Sequence, residues 1–146
     1  MIKGHKSLIF KMISVNYRKY QTIIDSELKK INISRGDYPF LLCLYENRNG
    51  LNQNQLSKLL SVDRAHTNRY IHKLAKDGYI YSKSNLSNSR ILDIFLTDKG
   101  VSKSEEALVI LSNLANSLFA DEKDSDLDFL YNKLLDISKI LDNKLE

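Results

Sequence analysis

The segment from Asp63 to Gly78 carries side chains whose types and spacing suit contacts with duplex nucleic acid. Residues at three- and four-residue intervals form the inward stripe of a predicted helix: Thr67, Tyr70, Ile71 and Leu74. The opposite face carries four Lys or Arg residues and no acid: Arg64, Ala65, Asn68, Arg69, His72, Lys73 and Lys76. In the major groove, asparagine pairs with adenine edges, arginine with guanine or phosphate, and a methyl group contacts thymine. The pattern therefore predicts a helix whose exposed face contacts DNA.

The individual contacts follow from the chemistry of each side chain. We expect contacts to bases, or for the arginines to phosphates, from Arg64, Ala65, His66, Asn68 and Arg69. We expect phosphate contacts from Lys58, Lys73 and Lys83, and further contacts from a polar loop that contains Asn85 and Ser87. Arg90 at the base of that loop either enters the minor groove or pairs with a neighbouring carbonyl group. The alternative for each of these residues is that its side chain is solvated on the surface and contacts no DNA.

A helix-turn-helix is expected to position these residues. Apolar residues over 52–60 predict a short helix, and a two-residue turn follows it. Asp63 is suited to cap a second helix, and Gly78 is suited to end it. Two helices joined by so short a turn form a helix-turn-helix, in which the second helix enters the major groove.

A β-hairpin is expected beside the second helix. Residues 79–83 and 90–97 are rich in Tyr, Ile, Leu and Phe, and they enclose the polar loop 84–89. Such a hairpin forms a wing that reaches phosphates or the minor groove. The expected fold class is therefore mainly α with a small β-wing, with a winged helix-turn-helix lobe over residues 35–100.

Long helices are expected at both ends of the chain. We assign 7–34 and 101–146 to dimerisation helices of a single domain, because each carries apolar residues at helical spacing. Asp37 is expected to cap the helix that has Pro39 in its first turn. The apolar stripe of the last helix is expected to pack on a partner in a homodimer; packing on the first helix is the alternative.

The distribution of charge favours a polyanionic partner. The 146 residues carry a net charge of +4, with eight Lys or Arg and four acids in 50–100, and five bases and ten acids in 101–146. Cys43 is a lone cysteine, and no histidine pairs with it or with acids at metal-ligand spacing, so we expect no catalytic site, no metal and no cofactor. The chain has no long apolar stretch or signal peptide, which predicts a cytoplasmic protein that does not insert into a membrane.

Several motifs along the lobe occur together in one known family. They are the run Leu56-Ser57-Lys58-Leu59-Leu60 through Val62-Asp63-Arg64-Ala65-His66-Thr67-Asn68-Arg69, then Leu74, Gly78 and Ile80, Asn88-Ser89-Arg90, and Leu96-Thr97-Asp98-Lys99-Gly100. In this order they resemble the MarR family of bacterial transcription regulators. The resemblance implies a homodimer with interlocking terminal helices, two lobes that bind a pseudo-palindromic operator in double-stranded DNA, and often a small phenolic or lipophilic effector between lobe and dimer helices.

Two regions depart from the family pattern. Asn88 stands where an aspartate commonly precedes the wing arginine, so a neutral hydrogen bond at best replaces a salt bridge and a looser wing is expected. Thr67 takes a place that is usually apolar, and Ala65 and His66 take places that are usually Ser or Thr. The family's operator preference therefore does not carry over to this chain.

Four tyrosines on the first two helices are candidates for an effector pocket: Tyr17, Tyr20, Tyr38 and Tyr45. Their rings and hydroxyl groups can line a crevice, although aromatic residues at helical spacing also serve as core. The sequence thus predicts a homodimeric DNA-binding transcriptional regulator that is not an enzyme. It favours a repressor, because no second module for contacting polymerase is visible. The alternative is a winged-helix module that binds another protein and never touches DNA.

Overall fold

A computed structural model describes residues 5–145 of the chain. Within that range six helices and three strands follow one another: α1 (His5–Lys29), α2 (Tyr38–Glu46), β1 (Leu51–Asn52), α3 (Gln53–Leu60), α4 (Arg64–Lys76), β2 (Ile80–Ser84), β3 (Leu92–Leu96), α5 (Asp98–Leu118) and α6 (Asp124–Leu145). Residues up to Ser112 form one compact unit, and those from Asn113 onward form a second. The expected class, mainly α with a small β-wing, is confirmed.

The first helix, α1, is buried only near its C-terminal end. Ile24 and Leu28 are fully buried, whereas the apolar residues of the first turns are exposed. The helix closes at Asn32, which adopts a left-handed conformation with φ 60°, and the N–H of Ile33 donates to the carbonyl of Leu28 over 3.2 Å. This local closure directs the chain towards α2.

Asp37 occupies the predicted N-cap position of α2, but its side chain does not cap that helix. Its backbone is already helical, with φ −77° and ψ −43°, whereas a capping residue is typically extended. The carboxylate instead accepts from the N–H of Ser34 over 2.7 Å and pairs with Lys73. The cap prediction is therefore wrong, whereas Pro39 lies in the first turn as predicted.

Local hydrogen bonds define the helix-turn-helix. Asn52 Oδ1 accepts from the N–H of Gln55 over 3.0 Å, and Gln55 Oε1 accepts from the N–H of Asn52 over 2.8 Å, which caps α3 reciprocally. Ser61 ends α3 in a left-handed conformation with φ 51°. Asp63 Oδ1 then accepts from the N–H of His66 over 2.7 Å, which confirms the predicted cap of α4.

The contact between α3 and α4 combines apolar packing with a hydroxyl pair. Leu56 and Leu74 are buried, and Thr67 has no exposed surface. The Thr67 hydroxyl donates to the carbonyl of Asp63 over 2.9 Å and accepts from the hydroxyl of Ser57 over 2.8 Å. The buried hydroxyl is therefore satisfied inside the interface.

The predicted hairpin is present and belongs to a three-stranded antiparallel sheet in the order β1-β3-β2. β2 and β3 pair from Ile80 opposite Leu96 to Ser84 opposite Leu92. The two-residue strand β1 pairs with β3 through Leu51 opposite Ile94. Sequence periodicity did not reveal β1, because two residues are too few to show alternation.

The start of α5 is tied to the start of the wing. Thr97 Oγ1 accepts from the N–H of Gly100 over 3.0 Å and donates to the carbonyl of Gly78 over 2.7 Å, so Thr97 caps α5. A Cβ atom added at Gly100 would overlap the carbonyl oxygen of Tyr79. Ser104, one turn later, is fully buried and donates to the carbonyl of Gly100 over 2.8 Å. Glycine is thus required where the helix approaches the main chain.

The second unit contains α6, which begins with Asp124 and Asp126 in its first turn, where acids are favoured by the helix dipole. None of the described residues of α6 is buried. Its exposed large apolar side chains are Phe129, Leu130, Tyr131, Leu134, Leu135, Ile140, Leu141 and Leu145. Across residues 5–145, no helix has the length and apolar character that crossing a membrane requires.

Candidate nucleic-acid interface

The outward face of α4 is solvent-exposed, as the helical spacing predicts. All seven residues predicted to form this face are exposed: Arg64, Ala65, Asn68, Arg69, His72, Lys73 and Lys76. The acids that flank the helix serve at its ends: Asp63 caps the first turn, and Asp77 follows the last. An exposed helix face with cations and no carboxylate between the caps attracts phosphate groups.

A cleft of about 470 Å³ lies between α4 and the wing. We call it the helix–wing cleft. Arg64 and Asn68 line it from α4, and Arg90 lines it from the wing. Ile71 and Ile94 form part of an apolar wall. The fold therefore brings together three side chains that were predicted to contact DNA from separate parts of the sequence.

The cleft also contains polar residues that the predicted contact set lacks, among them Gln53, Asn54 and His72. Gln53 Nε2 donates to the carbonyl of Arg64 over 3.2 Å and so connects the two helices of the helix-turn-helix. The spacing of Asn52 and Gln55 is typical of a capping box. That signal in the sequence could have predicted that Gln53 and Asn54 lie in the first turn of α3. His72 lies four residues after Asn68 and therefore on the same helix face.

His66 and Arg69 contact each other on the surface of α4. His66 Nδ1 lies 3.2 Å from Arg69 Nη2, and the imidazole ring packs with its centroid 4.9 Å from that of Tyr70. Because a guanidinium group only donates, this contact requires Nδ1 to be the accepting nitrogen. The contact holds the Arg69 side chain on the surface of α4. Both residues belong to the set that was predicted to contact DNA.

Lys73 is half-exposed, but its ammonium group already has a partner within the protein. Nζ lies 2.6 Å from both carboxylate oxygens of Asp37, whose side chain is 1% exposed. A second carboxylate, Asp77 Oδ2, lies 3.8 Å away. The remaining predicted phosphate-contacting lysines differ: Lys58 is exposed on α3, and Lys83 lies over the rings of Tyr81 and Phe95.

Asn85 organises the wing from within. Its Oδ1 accepts from the N–H groups of Ser87 and Asn88 over 2.9 and 3.1 Å, and its Nδ2 donates to Asp93 Oδ2 over 2.6 Å. These bonds close the loop onto β3 in the manner of an Asx-turn. Asn85 was predicted as a DNA contact, and the structure gives its side chain this folding role. Ser87 is exposed at the tip.

Arg90 has an exposed side chain at the base of the wing loop. Asn88 Oδ1 accepts from the backbone N–H of Arg90 over 3.1 Å. The asparagine therefore supplies a neutral hydrogen bond to the backbone of the arginine, in the position where the family commonly has an aspartate. Arg90 also lines the helix–wing cleft.

The four candidate tyrosines fall into two places. Tyr20 and Tyr38 have their hydroxyl oxygens 3.3 Å apart, and the hydroxyl of Tyr17 accepts from Gln21 Nε2 over 2.7 Å. Burial, followed by the hydrogen bond with Tyr20, raises the pKa of the Tyr38 hydroxyl well above its usual value. Tyr45 instead donates to Glu105 Oε1 over 3.1 Å.

Cys43 is buried on α2 among apolar neighbours. Desolvation, and then the nearby carboxylate of Glu46, raise the pKa of its thiol. A thiol of this kind has little of the thiolate form that reacts with oxidants. This environment suits a cysteine that packs as a small hydrophobic residue.

Comparison with known proteins gives a consistent result. The model of the MarR family matches residues 33–92. The HTH-type transcriptional regulator YybA of Bacillus subtilis is 34% identical over 92 residues, which cover 63% of this chain and 61% of YybA. The match thus spans less than two thirds of that relative's length.

Solved structures extend the similarity to nearly the whole chain. A MarR transcriptional regulator from Methanosarcina mazei Go1 is 32% identical with a TM-score of 0.82, covering 97% of this chain and 100% of that one. The Staphylococcus aureus MepR–DNA complex is 21% identical with a TM-score of 0.79, covering 93% and 96% of the two chains, and shares the fold. The chain, with its helix-turn-helix and wing, therefore belongs to the MarR family.

Proposed function

We propose that this protein is a transcriptional regulator that binds a specific sequence in double-stranded DNA. The observation that carries the proposal is the helix–wing cleft, where Arg64 and Asn68 of α4 meet Arg90 of the wing. Cations on both sides of a cleft about 470 Å³ in volume suit a phosphate backbone, and the exposed amide between them suits a base edge. Family membership and the MepR–DNA complex, which shares the fold, support the same function.

The protein acts as a homodimer in this proposal. In the first unit, α1 exposes large apolar residues in its first turns: Leu8, Ile9, Phe10, Met12 and Ile13. In the second unit, α6 exposes a row of apolar residues along its length. Exposed apolar stripes of this size mark surfaces that a partner covers. A twofold dimer presents two recognition helices, and its operator is then a pseudo-palindrome with half-sites about one helical turn apart.

Repression and effector control complete the proposed function, together with a cytoplasmic location and no cofactor. In this proposal the bound regulator represses transcription by blocking access to the operator. The tyrosine hydroxyls of Tyr20 and Tyr38, with Tyr17 nearby, offer hydrogen bonds and ring surfaces to a small aromatic or lipophilic effector. Such an effector would release the protein from DNA by favouring a conformation that binds the operator less tightly.

Selection from a random duplex library, at two salt concentrations, tests DNA binding directly. We expect enrichment of a twofold-symmetric site and a steep decrease of affinity with salt, by a slope of about 0.9 for each phosphate neutralised. Binding to no duplex at low salt would contradict the proposal and would direct the search to protein partners. Analytical ultracentrifugation of the same preparation measures the oligomeric state.

Single substitutions test which residues read the sequence. Arg69→Ala is expected to weaken binding to all duplexes, whereas Asn68→Ala and His66→Ala are expected to reduce the preference for the selected site over random DNA. Arg90→Ala is expected to cost on the order of 1–3 kcal/mol if the wing enters the groove. Arg18→Ala, which removes an exposed arginine on α1, is the control and should leave binding unchanged. Equal effects of the first three variants on specific and random DNA would refute the assignment of base contacts.

A further inference from the structure

The pair formed by Asp37 and Lys73 connects α4, the proposed recognition helix, to the loop that follows α1. Lys73 Nζ lies 2.6 Å from each carboxylate oxygen of Asp37, and the N–H of Ser34 donates to the same carboxylate over 2.7 Å. The Asp37 side chain is 1% exposed, so water does not solvate its charge. A buried carboxylate requires a compensating cation, and Lys73 supplies it.

Tyr70 strengthens the same connection one turn earlier on α4. Its ring stacks on Phe40 with centroids 5.1 Å apart and an interplanar angle of 16°. A Cβ atom at Gly36 would overlap the Tyr70 hydroxyl, so the loop and the ring are in close contact. Residues 70 and 73 are three apart and lie on one side of the helix, and both contact the segment 36–40.

Lys73 lies on the side of α4 that carries His66 and Arg69, away from Asn68 of the helix–wing cleft. Five residues separate Asn68 from Lys73, which corresponds to about 140° of rotation around an α-helix. Moving the Lys73 ammonium group to a phosphate would separate it from Asp37 and leave a buried charge uncompensated. This cost disfavours the direct phosphate contact that sequence reasoning assigned to this lysine.

We propose that Lys73 and Asp37 form a positioning pair, which fixes the orientation of the recognition helix and acts on DNA binding only through that helix. The proposal rests on the proposed DNA-binding function and identifies how its main element is held. Because Tyr38 follows Asp37 directly and hydrogen-bonds Tyr20 of α1, the pair also joins α1 to α4 through consecutive contacts.

The salt dependence of DNA binding distinguishes a positioning residue from a phosphate contact. Lys73→Met is expected to weaken binding to the selected operator by about tenfold at every salt concentration, with the slope of log affinity against log salt unchanged. Lys58→Met is the matched control: this exposed lysine on α3 is a predicted phosphate contact, and its loss should reduce the slope by about 0.9. A reduced slope for Lys73→Met would overturn the proposal.

Two further variants keep the test independent of general destabilisation. Lys73→Arg preserves the cation and is expected to restore both affinity and slope. Asp37→Asn should reproduce the loss seen with Lys73→Met, and the double variant should lose no more than either single variant, because both remove the same interaction. Additive losses would show that the two residues act separately and would overturn the proposal.

Hydrogen exchange without DNA separates this proposal from the proposed function. Lys73→Met and Asp37→Asn are both expected to accelerate amide exchange in α4, whereas Lys58→Met should not. If the wild-type protein binds no duplex, the proposed function fails, and the exchange rates still decide whether the pair positions α4. Unchanged exchange in α4 for both variants would overturn the positioning role even if DNA binding is confirmed.

Discussion

The hydroxyl pair between α3 and α4 makes a quantitative prediction about stability. Thr67→Val removes a fully buried hydroxyl without a large change of volume. Ser57 then loses its acceptor at 2.8 Å, whereas the Asp63 carbonyl retains the N–H of residue 67 at 3.0 Å. The main consequence is therefore one hydroxyl group left inside the interface without its partner.

The expected cost follows from that count of hydrogen bonds. A lost hydrogen bond costs about 0.5–1.5 kcal/mol net, and an unsatisfied buried group about 1–3 kcal/mol. Ser57 is only half-buried, so water partly satisfies it and the lower part of the range applies. We expect Thr67→Val to lower the free energy of unfolding by about 1–2 kcal/mol. Because replacing both partners by apolar groups is nearly neutral, the double variant with Ser57→Ala should recover most of the loss.

Urea unfolding followed by circular dichroism measures this effect at one fixed protein concentration, because the stability of the proposed dimer would depend on concentration. Thr22→Val is the matched control: it removes the same type of bond, from a threonine hydroxyl to the carbonyl four residues earlier, at an exposed site on α1. Its effect should stay within about 0.5 kcal/mol. A Thr67→Val protein as stable as the wild type, or a double variant less stable than Thr67→Val, would refute the reasoning.

Three further predictions concern the wing, the start of α5 and the buried thiol. Gly100→Ala should destabilise the protein by about 1–3 kcal/mol in urea unfolding, because its new methyl group meets the Tyr79 carbonyl; wild-type stability would contradict this close approach. Asn85→Ala should accelerate amide exchange in the loop 85–91 and leave α3 unchanged, because it removes three side-chain bonds; equal protection would show that the loop is held by other contacts. Cys43 should react with iodoacetamide far more slowly in the folded protein than in urea at pH 8, since burial raises the pKa of its thiol and lowers the thiolate fraction; equal rates would contradict its burial. The raised pKa also predicts that this thiol's contribution to stability is intact below its unfolded pKa and declines at higher pH.

The candidate site was predictable to the extent that it lies on one helix. Exposure of Asn68 and Arg69 follows from spacing along α4, since residues on one face of a helix are determined by its periodicity alone. Asn85 shows the limit of such reasoning. A polar residue in a wing loop suits DNA or the loop equally well, and only the position of Asp93 on the opposite strand directs its amide inward.

Lys73 shows the same limit on α4 itself. Its type and its place on a basic helix predicted a phosphate contact, and its partner lies 36 residues earlier in the chain. No local pattern indicates that Asp37 is buried beneath the recognition helix. The apparent cap motif before Pro39 suggested a different role for that carboxylate, because an ion pair between residues 36 positions apart leaves no local spacing to compete with that motif.

The sequence by itself determined the elements whose ends are closed by neighbouring residues. Asp63 caps α4 three residues away at His66, and Thr97 caps α5 three residues away at Gly100, so these boundaries depend on bonds within a single turn. Tertiary structure alone decided the pairing of β1 with β3, the helix–wing cleft and the partner of Lys73. Those features depend on groups that are distant along the chain and meet only when the elements pack. Hydrogen bonds and ion pairs act over a few ångströms of space, so the spacing of neighbouring residues in the sequence does not indicate them.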